Sequence, residues 1–350
     1  MIDWLDPYSI DWKFFSVNED TWDDEELIDG VTDVTIDRDC TDSVPLIETS
    51  TLTINLEIDS EFVDGWYRLV GYVFQNGVYE RVPIATMLYE ITSDEVDYGV
   101  AKATVKGQSV LLPAQETSMR NGAYVPKGAD GAYWVWEQLD RCLTAPVFIV
   151  GDGFTLDNYV VYDSGESVLS ACWNVLDTGK WCLQIDGDGT VYILEKPKEP
   201  DLEIGVTGLA LLKPSIKRSR GRFGVPNRYI ARDGKYEEIA ENNDPSSPSS
   251  YQNVGRWIDA GVDENPSYVN GESLWTYARR MLEELSTVSM TYDYNREFYP
   301  EVYPFDIIRA YAVNEGFVGD LRISKQKLEI KDGGISVSET ALETIKLWRA

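Results

Sequence analysis

Apolar and polar positions alternate in short runs through the first hundred residues. Thr51-Leu52-Thr53-Ile54-Asn55-Leu56-Glu57-Ile58 has strict period two, which predicts a strand with Leu52, Ile54, Leu56 and Ile58 on one face. Val31, Val34 and Ile36 precede it. Trp66–Phe74 follows and ends at Asn76-Gly77, a two-residue hairpin signal. Arg81–Ile84, Met87–Ile91 and Val100–Gly107 continue the pattern. Five or six strands with evenly spaced turns predict a small antiparallel barrel over residues 28–110, after an acidic N-terminal segment, 1–27.

The texture changes after Leu111-Leu112-Pro113. Gly131–Leu139 reads as a helix and Val147–Val150 as a strand. Then comes a phrase that recurs: Ser164-Gly165-Glu166-Ser167-Val168-Leu169 and Asn270-Gly271-Glu272-Ser273-Leu274-Trp275. Each copy opens an amphipathic helix, with Ser164 and Asn270 as expected N-caps. Val168, Leu169, Cys172 and Leu176 in the first correspond to Leu274, Trp275, Ala278 and Leu282 in the second, which is expected to be the longer helix. Gly179 is expected as a left-handed C-cap. Strands at 181–185 and 190–194 flank Asp186-Gly187-Asp188-Gly189. Residues 111–200 therefore read as an α/β insertion, with Lys196–Pro200 as a linker.

Strands resume at Leu209–Leu212 and Arg228–Arg232. Residues 242–250 read as a flexible loop by composition. Further strands come at 307–311, 321–324, 327–330 and 335–338. The expected fold is α+β, mostly β: two related antiparallel β-barrels carrying two small insertions. The second barrel takes 201–260 plus 303–350, and a helical insertion takes 261–302.

Composition narrows the chemistry. The 350 residues hold 60 acids and 31 basic residues, net −29, with 43% hydrophobic residues. That is enough apolar material for two or three cores. So acidic a chain repels phosphate except at a local basic patch. The charge serves either solubility or a surface that lies near DNA without holding it. There is no histidine, which excludes Ser-His-Asp and Cys-His catalysis and His-ligated zinc. Cys40, Cys142, Cys172 and Cys182 form no CxxC, and all four are expected to be reduced in a cytoplasm. Neither a membrane span nor a signal peptide is expected.

Candidate sites are few. Asp23-Asp24-Glu25-Glu26 reads as a solvated turn. Asp186–Thr190 begins like a calcium loop, but Pro197 stands where the glutamate should be, so a hairpin turn with glycines at positive φ is expected. The one basic segment spans Lys213 to Lys235. Lys213, Lys217, Arg218, Arg220 and Arg222 are its candidate partner-docking residues, unless its arginines simply pair with the chain's own carboxylates. No catalytic, cofactor or metal residue stands out. A carboxylate-pair glycoside hydrolase or depolymerase, or a glycan-binding module, is the alternative reading.

With this layout the sequence resembles the baseplate and tail hub family of tailed phages and contractile injection machines. The likeness lies in the order of short phrases from about residue 28: Ile36-Asp37-Arg38-Asp39 with Ser50–Ile54, Trp66-Tyr67-Arg68-Leu69, Gln184–Val191, Asn227–Arg232 with Val254-Gly255-Arg256, and Pro304–Ile308, where Phe305 replaces a common glycine. The resemblance implies a non-enzymatic homotrimer needing no cofactor. Its six barrel units would stack on a hexameric tail tube and carry a threefold spike, fibre or tape-measure protein. DNA would pass through without specific binding. Such a protein resides in the virion tail after assembly in the host cytoplasm.

Overall fold

The computed structural model describes residues 2–41, 44–57, 62–97, 100–162, 165–200, 202–205, 217–220, 224–264, 266, 271–312, 317–331 and 334–348. It is mostly β, with large antiparallel sheets. The chain divides into two compact units, Met1–Ile216 with Tyr294–Ala341 and Lys217–Asp293 with Leu342–Ala350.

The first unit begins with seven strands, β1 (Ser9–Val17), β2 (Asp24–Ile28), β3 (Val31–Thr41), β4 (Val44–Glu57), β5 (Gly65–Gln75), β6 (Val78–Asp97) and β7 (Val100–Ser109). They lie in the order β3-β4-β7-β6-β5-β1-β2, each pair antiparallel. The period-two reading of β4 is realised, since Leu52 and Ile54 are buried while Thr51 and Asn55 are exposed. Asn76 and Gly77 both take positive φ and close the β5–β6 hairpin, as a primed turn requires. The expected solvated turn at Asp23–Glu26 is instead the start of edge strand β2. Pairing with β1 orders it, and its carboxylates find partners: Asn18 donates to Glu25 at 2.6 Å, and Asp24 meets two arginines described below.

The insertion contains α1 (Leu112–Glu116), β8 (Tyr124–Val125), α2 (Gly131–Asp140), β9 (Val147–Val150), β10 (Val160–Val161), α3 (Val168–Gly179), β11 (Trp181–Ile185) and β12 (Val191–Glu195). β11 and β12 form the expected hairpin, and β9 runs parallel to β12. All four cysteines are free thiols, and Cys172 and Cys182 are buried with the insertion's apolar residues. Gly179 is not the left-handed cap. Lys180 takes that conformation, with φ 61°, and Gly179 ends the helix. A Cβ at Gly179 would lie 2.4 Å from the Phe154 ring, so this glycine is required for close approach. Lys196, expected in a linker, is buried. Its ammonium bonds Asp177 at 3.0 Å and lies over the Trp173 and Phe305 rings.

Strand β13 (Leu202–Gly205) follows, and the strand expected at 209–212 lies outside the described residues. The second unit holds β14 (Lys217–Arg220), β15 (Arg228–Asp233), β16 (Tyr236–Glu241), α4 (Tyr251–Val254), β17 (Asp259–Asp263) and α5 (Leu274–Leu285). The sequence reading assigns Arg228–Arg232 to the second barrel. In the structure these residues form the centre of a separate sheet, β16-β15-β17, with α5 packed on one face through Tyr277, Ala278 and Leu282. The loop 242–250, expected to be flexible, is tied together by its own side chains. Asn242, Ser247, Ser249 and Ser250 are buried, and the Asn242 amide donates to Ser247 (2.8 Å) and Ser249 (3.2 Å). Short hydroxyl and amide side chains here satisfy one another, where composition alone predicted a flexible loop.

Strand β18 (Thr287–Glu297) leads from the second unit into the first, where β19 (Ile307–Ala312) and β20 (Phe317–Lys331) lie, and β21 (Gly334–Lys346) passes back. β20 pairs antiparallel with β19 through 317–322 and with β3 through 325–330, where Gln326 is opposite Arg38, and β21 is its neighbour on the side away from β3. The strands before and after the insertion are thus joined edge to edge.

Candidate functional site

What this scaffold can do depends on how its parts are held in register. Within the first unit, the strands β18, β21, β20, β3 and β4 are consecutive neighbours. Across them runs one buried polar row, Arg296, Glu339, Gln326, Arg38 and Glu48. Arg296 donates to both oxygens of Glu339, at 2.9 and 2.6 Å. Gln326 donates to Glu339 at 2.8 Å and accepts from Arg38 at 2.9 Å. Arg38 also donates to Glu48 at 2.7 Å and to the Ile84 carbonyl at 2.9 Å. Both ion pairs are almost fully enclosed. Burial pushes the Glu48 carboxyl up, and the Arg38 charge opposes it. The row has an Arg–Glu pair at each end and a glutamine bridge between. A register slip would leave buried charges unpaired, so the row pins the two halves of the β-structure together. In the sequence Arg38 stands out only within a short phrase, because a row spread over five strands has no local signature.

A second support seats the insertion on the first strand set. The Asp186–Gly189 turn lies against β5, β6 and the β1–β2 connection. Trp22 donates its indole N–H to the Asp188 carbonyl (2.8 Å), and Arg68 donates to the same carbonyl (2.9 Å). Arg68 also reaches Thr86 (2.8 Å) and Asp24 (2.6 Å), while Arg81 reaches Asp24 (2.7 Å). The Thr86 hydroxyl donates to the Gly187 carbonyl (2.9 Å). A Cβ on Gly187 would stand 2.1 Å from the Pro83 carbonyl oxygen. Of the two glycines only Gly189 takes positive φ; Gly187 is there for contact. Asp186 accepts from the Thr190 N–H and the Tyr192 hydroxyl, and burial raises its pKa. The segment is a docking hairpin.

The repeated phrase is the same device twice, shifted from its expected position. The N-caps are Ser167 and Ser273, not Ser164 and Asn270. Ser167 accepts from Ser170 N–H and Ser273 from Thr276 N–H. In each copy the glycine takes positive φ (Gly165 89°, Gly271 77°). In each, the glutamate then reaches eight residues along its helix: Glu166 accepts from Asn174 (2.8 Å), and Glu272 from Arg280 (2.9 and 3.0 Å). The left-handed glycine delays the helix by one turn, so the later serine caps it. Both helices are the same length, 12 residues, contrary to expectation.

Of the basic segment, Lys213 and Arg222 lie outside the described residues, as do the side chains of Lys217, Arg218 and Arg220. Lys217–Arg220 forms β14, paired antiparallel with Thr291-Tyr292-Asp293 and Met290 of β18. Arg228 and Arg232 are engaged, with Asp259 and Glu237. A glycosidase would need a carboxyl of raised pKa in an open cleft. Burial pushes the carboxyls of Glu48 and Asp186 up. Glu48 is enclosed, and the cavity beside its partner Arg38 has no space for a water molecule. Asp186 closes its own turn. No group of three or more metal-ligating side chains stands together among the described residues.

No protein-family model matches the sequence, and no curated protein matches it. Solved structures do match. The tail protein from Neisseria meningitidis MC58 has a TM-score of 0.64 at 11% identity, with 96% of each chain covered. The 43 kDa tail protein of prophage MuSo2 from Shewanella oneidensis has a TM-score of 0.62 at 10% identity, covering 96% of this chain and 98% of that one. A chain of the Francisella PdpA–VgrG complex has a TM-score of 0.53 at 10% identity, covering 98% of this chain and 59% of its own length. At such identities the likeness is one of fold. Over 96% of its length the chain shares the fold of these tail proteins, consistent with the tail hub resemblance in its sequence.

Proposed function

We propose that this chain is a structural component of a phage tail or baseplate, acting as a homotrimeric hub between a hexameric tail tube and a threefold spike or fibre. The observation that carries the reading is the match over nearly the full length of both chains with two tail proteins, one of them from a prophage. The internal pairing supports it. Two Arg–Glu pairs joined through Gln326, and two helices begun by one device, suit a scaffold with two related halves. In this reading residues 28–110 are the first barrel and 111–200 its insertion, β19, β20 and β21 belong to the second barrel, and the sheet β16-β15-β17 with α5 stands outside it. Three copies give six barrel units, which matches a hexameric tube.

The charge fits a conduit. With a net charge of −29, walls contributed by this chain repel DNA phosphates, and DNA passes without being held. The basic segment with Lys213, Lys217, Arg218, Arg220 and Arg222 is then the place where an acidic neighbour docks. Assembly takes place in the host cytoplasm and the product resides in the virion tail. The chain carries out no turnover in this role.

Light scattering and negative-stain imaging of the chain, alone and mixed with its tube protein, test the reading. A threefold ring or a trimer is expected. A chain that stays monomeric beside tube subunits, yet cleaves polysaccharide, would replace the hub with the hydrolase alternative.

A further inference from the structure

Among the described residues of the second unit, α5 covers one face of the sheet β16-β15-β17. Tyr229, Ala231 and Ala240 point to the helix, and Asp263 accepts from the Tyr229 and Tyr277 hydroxyls on that side. The register then fixes the other face. Ile239 pairs with Ile230, and Ile230 with Val262, giving an apolar row straight across three strands. Ile239 and Val262 are 43% and 46% exposed. On one side of this row Glu241 and Asp259 flank Arg228, which donates to Asp259 at 2.9 Å. On the other side Glu237 and Glu264 flank Arg232, at 2.6 and 3.8 Å. The face is therefore an aliphatic stripe between two acid–arginine–acid rows, and each row carries one excess negative charge.

We propose that this face docks a different protein through an amphipathic segment. Its aliphatic side chains lie along Ile239, Ile230 and Val262, and its lysines or arginines meet the two flanking rows. Charge selects this occupant. Each row has an acid more than its arginine neutralises, and a basic side chain supplies the balance. A second copy would bring two more negative rows from a chain of net charge −29. The stripe supplies the desolvated centre and the ion-pair rows the polar rim that a small interface needs. The proposal does not depend on the trimer.

The test uses the full chain with labelled isoleucine and valine methyls. A short leucine–lysine amphipathic peptide is the probe, and a leucine–glutamate peptide of the same pattern its control. The expected result is shift changes centred on Ile230, Ile239 and Val262 with the lysine peptide, weakening with salt. Ile239→Asp should weaken binding at least about tenfold. That variant adds negative charge, so loose attraction to an acidic surface would strengthen instead. Equal binding of the glutamate peptide, unchanged affinity of Ile239→Asp, or shifts centred on other exposed residues such as Val150 and Val161 would each overturn the proposal. So would self-association of the chain that Ile239→Asp abolishes, because the occupant would then be a second copy.

Discussion

Helices α3 and α5 begin alike and end in different environments. Both have a left-handed glycine, a glutamate that reaches eight residues onward and a serine cap. Beyond the cap they diverge. α3 is enclosed on several sides, with Val168, Leu169, Ala171, Cys172, Trp173, Val175 and Leu176 buried. α5 buries Tyr277, Ala278 and Leu282 on a single face. The matched pair Leu169 and Trp275 shows the split. Leu169 is 3% exposed, while Trp275 is 49% exposed with the Arg279 guanidinium 4.7 Å from its ring centre. A local start signal thus fixes where a helix begins, and the neighbours that tertiary structure supplies fix how much of it is buried.

The largest test of this contrast substitutes the matched pair. Leu169→Ala leaves a cavity in a closed core and should cost about 2–5 kcal/mol. Trp275→Ala should cost under about 1 kcal/mol, since it removes a surface stack. Denaturant unfolding of both variants measures the gap. Equal losses would mean that the helices are in equivalent environments.

A smaller difference is expected at the paired glutamates. Glu272 is nearly buried and holds Arg280 through two charged bonds, so Glu272→Ala should cost about 1.5–3 kcal/mol. Glu166 holds one amide at an exposed position, and Glu166→Ala should cost under about 1 kcal/mol. Thermal melts of the two variants rank them. A larger loss at Glu166 would show that the reach along the helix matters more than its partner's charge.

The smallest effect separates the two regions by pH. In the second unit the hydrogen bond from Arg228 holds the Asp259 carboxyl below its ordinary range. Its contribution is complete above the unfolded pKa near 3.8 and is lost as pH falls through the lower folded value. In the docking hairpin that follows α3, burial raises Asp186 above the same reference. Its contribution is complete below 3.8 and is lost as pH rises through the higher folded value. Acidification below about pH 3.8 should therefore weaken protection along β15–β17 while sparing the β11–β12 hairpin. Hydrogen exchange measured across that range reads both at once. Parallel loss of protection in the two regions would contradict the opposite shifts.

The sequence determined what nearest neighbours encode. Alternation along β4, the Asn76-Gly77 turn, the two amphipathic helices and the order of phrases shared with tail hubs were all legible, because strand period, turn chemistry and helix faces act over a few residues. Even there, the cap moved from Ser164 to Ser167, since a glycine's freedom to turn left-handed does not say which flanking serine the helix will use. Tertiary structure decided the rest. Gly179 and Gly187 are glycines because of the Phe154 ring and the Pro83 carbonyl, both remote in sequence. The loop 242–250 is buried in part because its serines and asparagine close on one another. The row from Arg296 to Glu48 exists because β20 meets β3, so that Arg38 finds a glutamine 288 positions away. Pairings at that range depend on which strands become neighbours, and no local pattern in the chain specifies that.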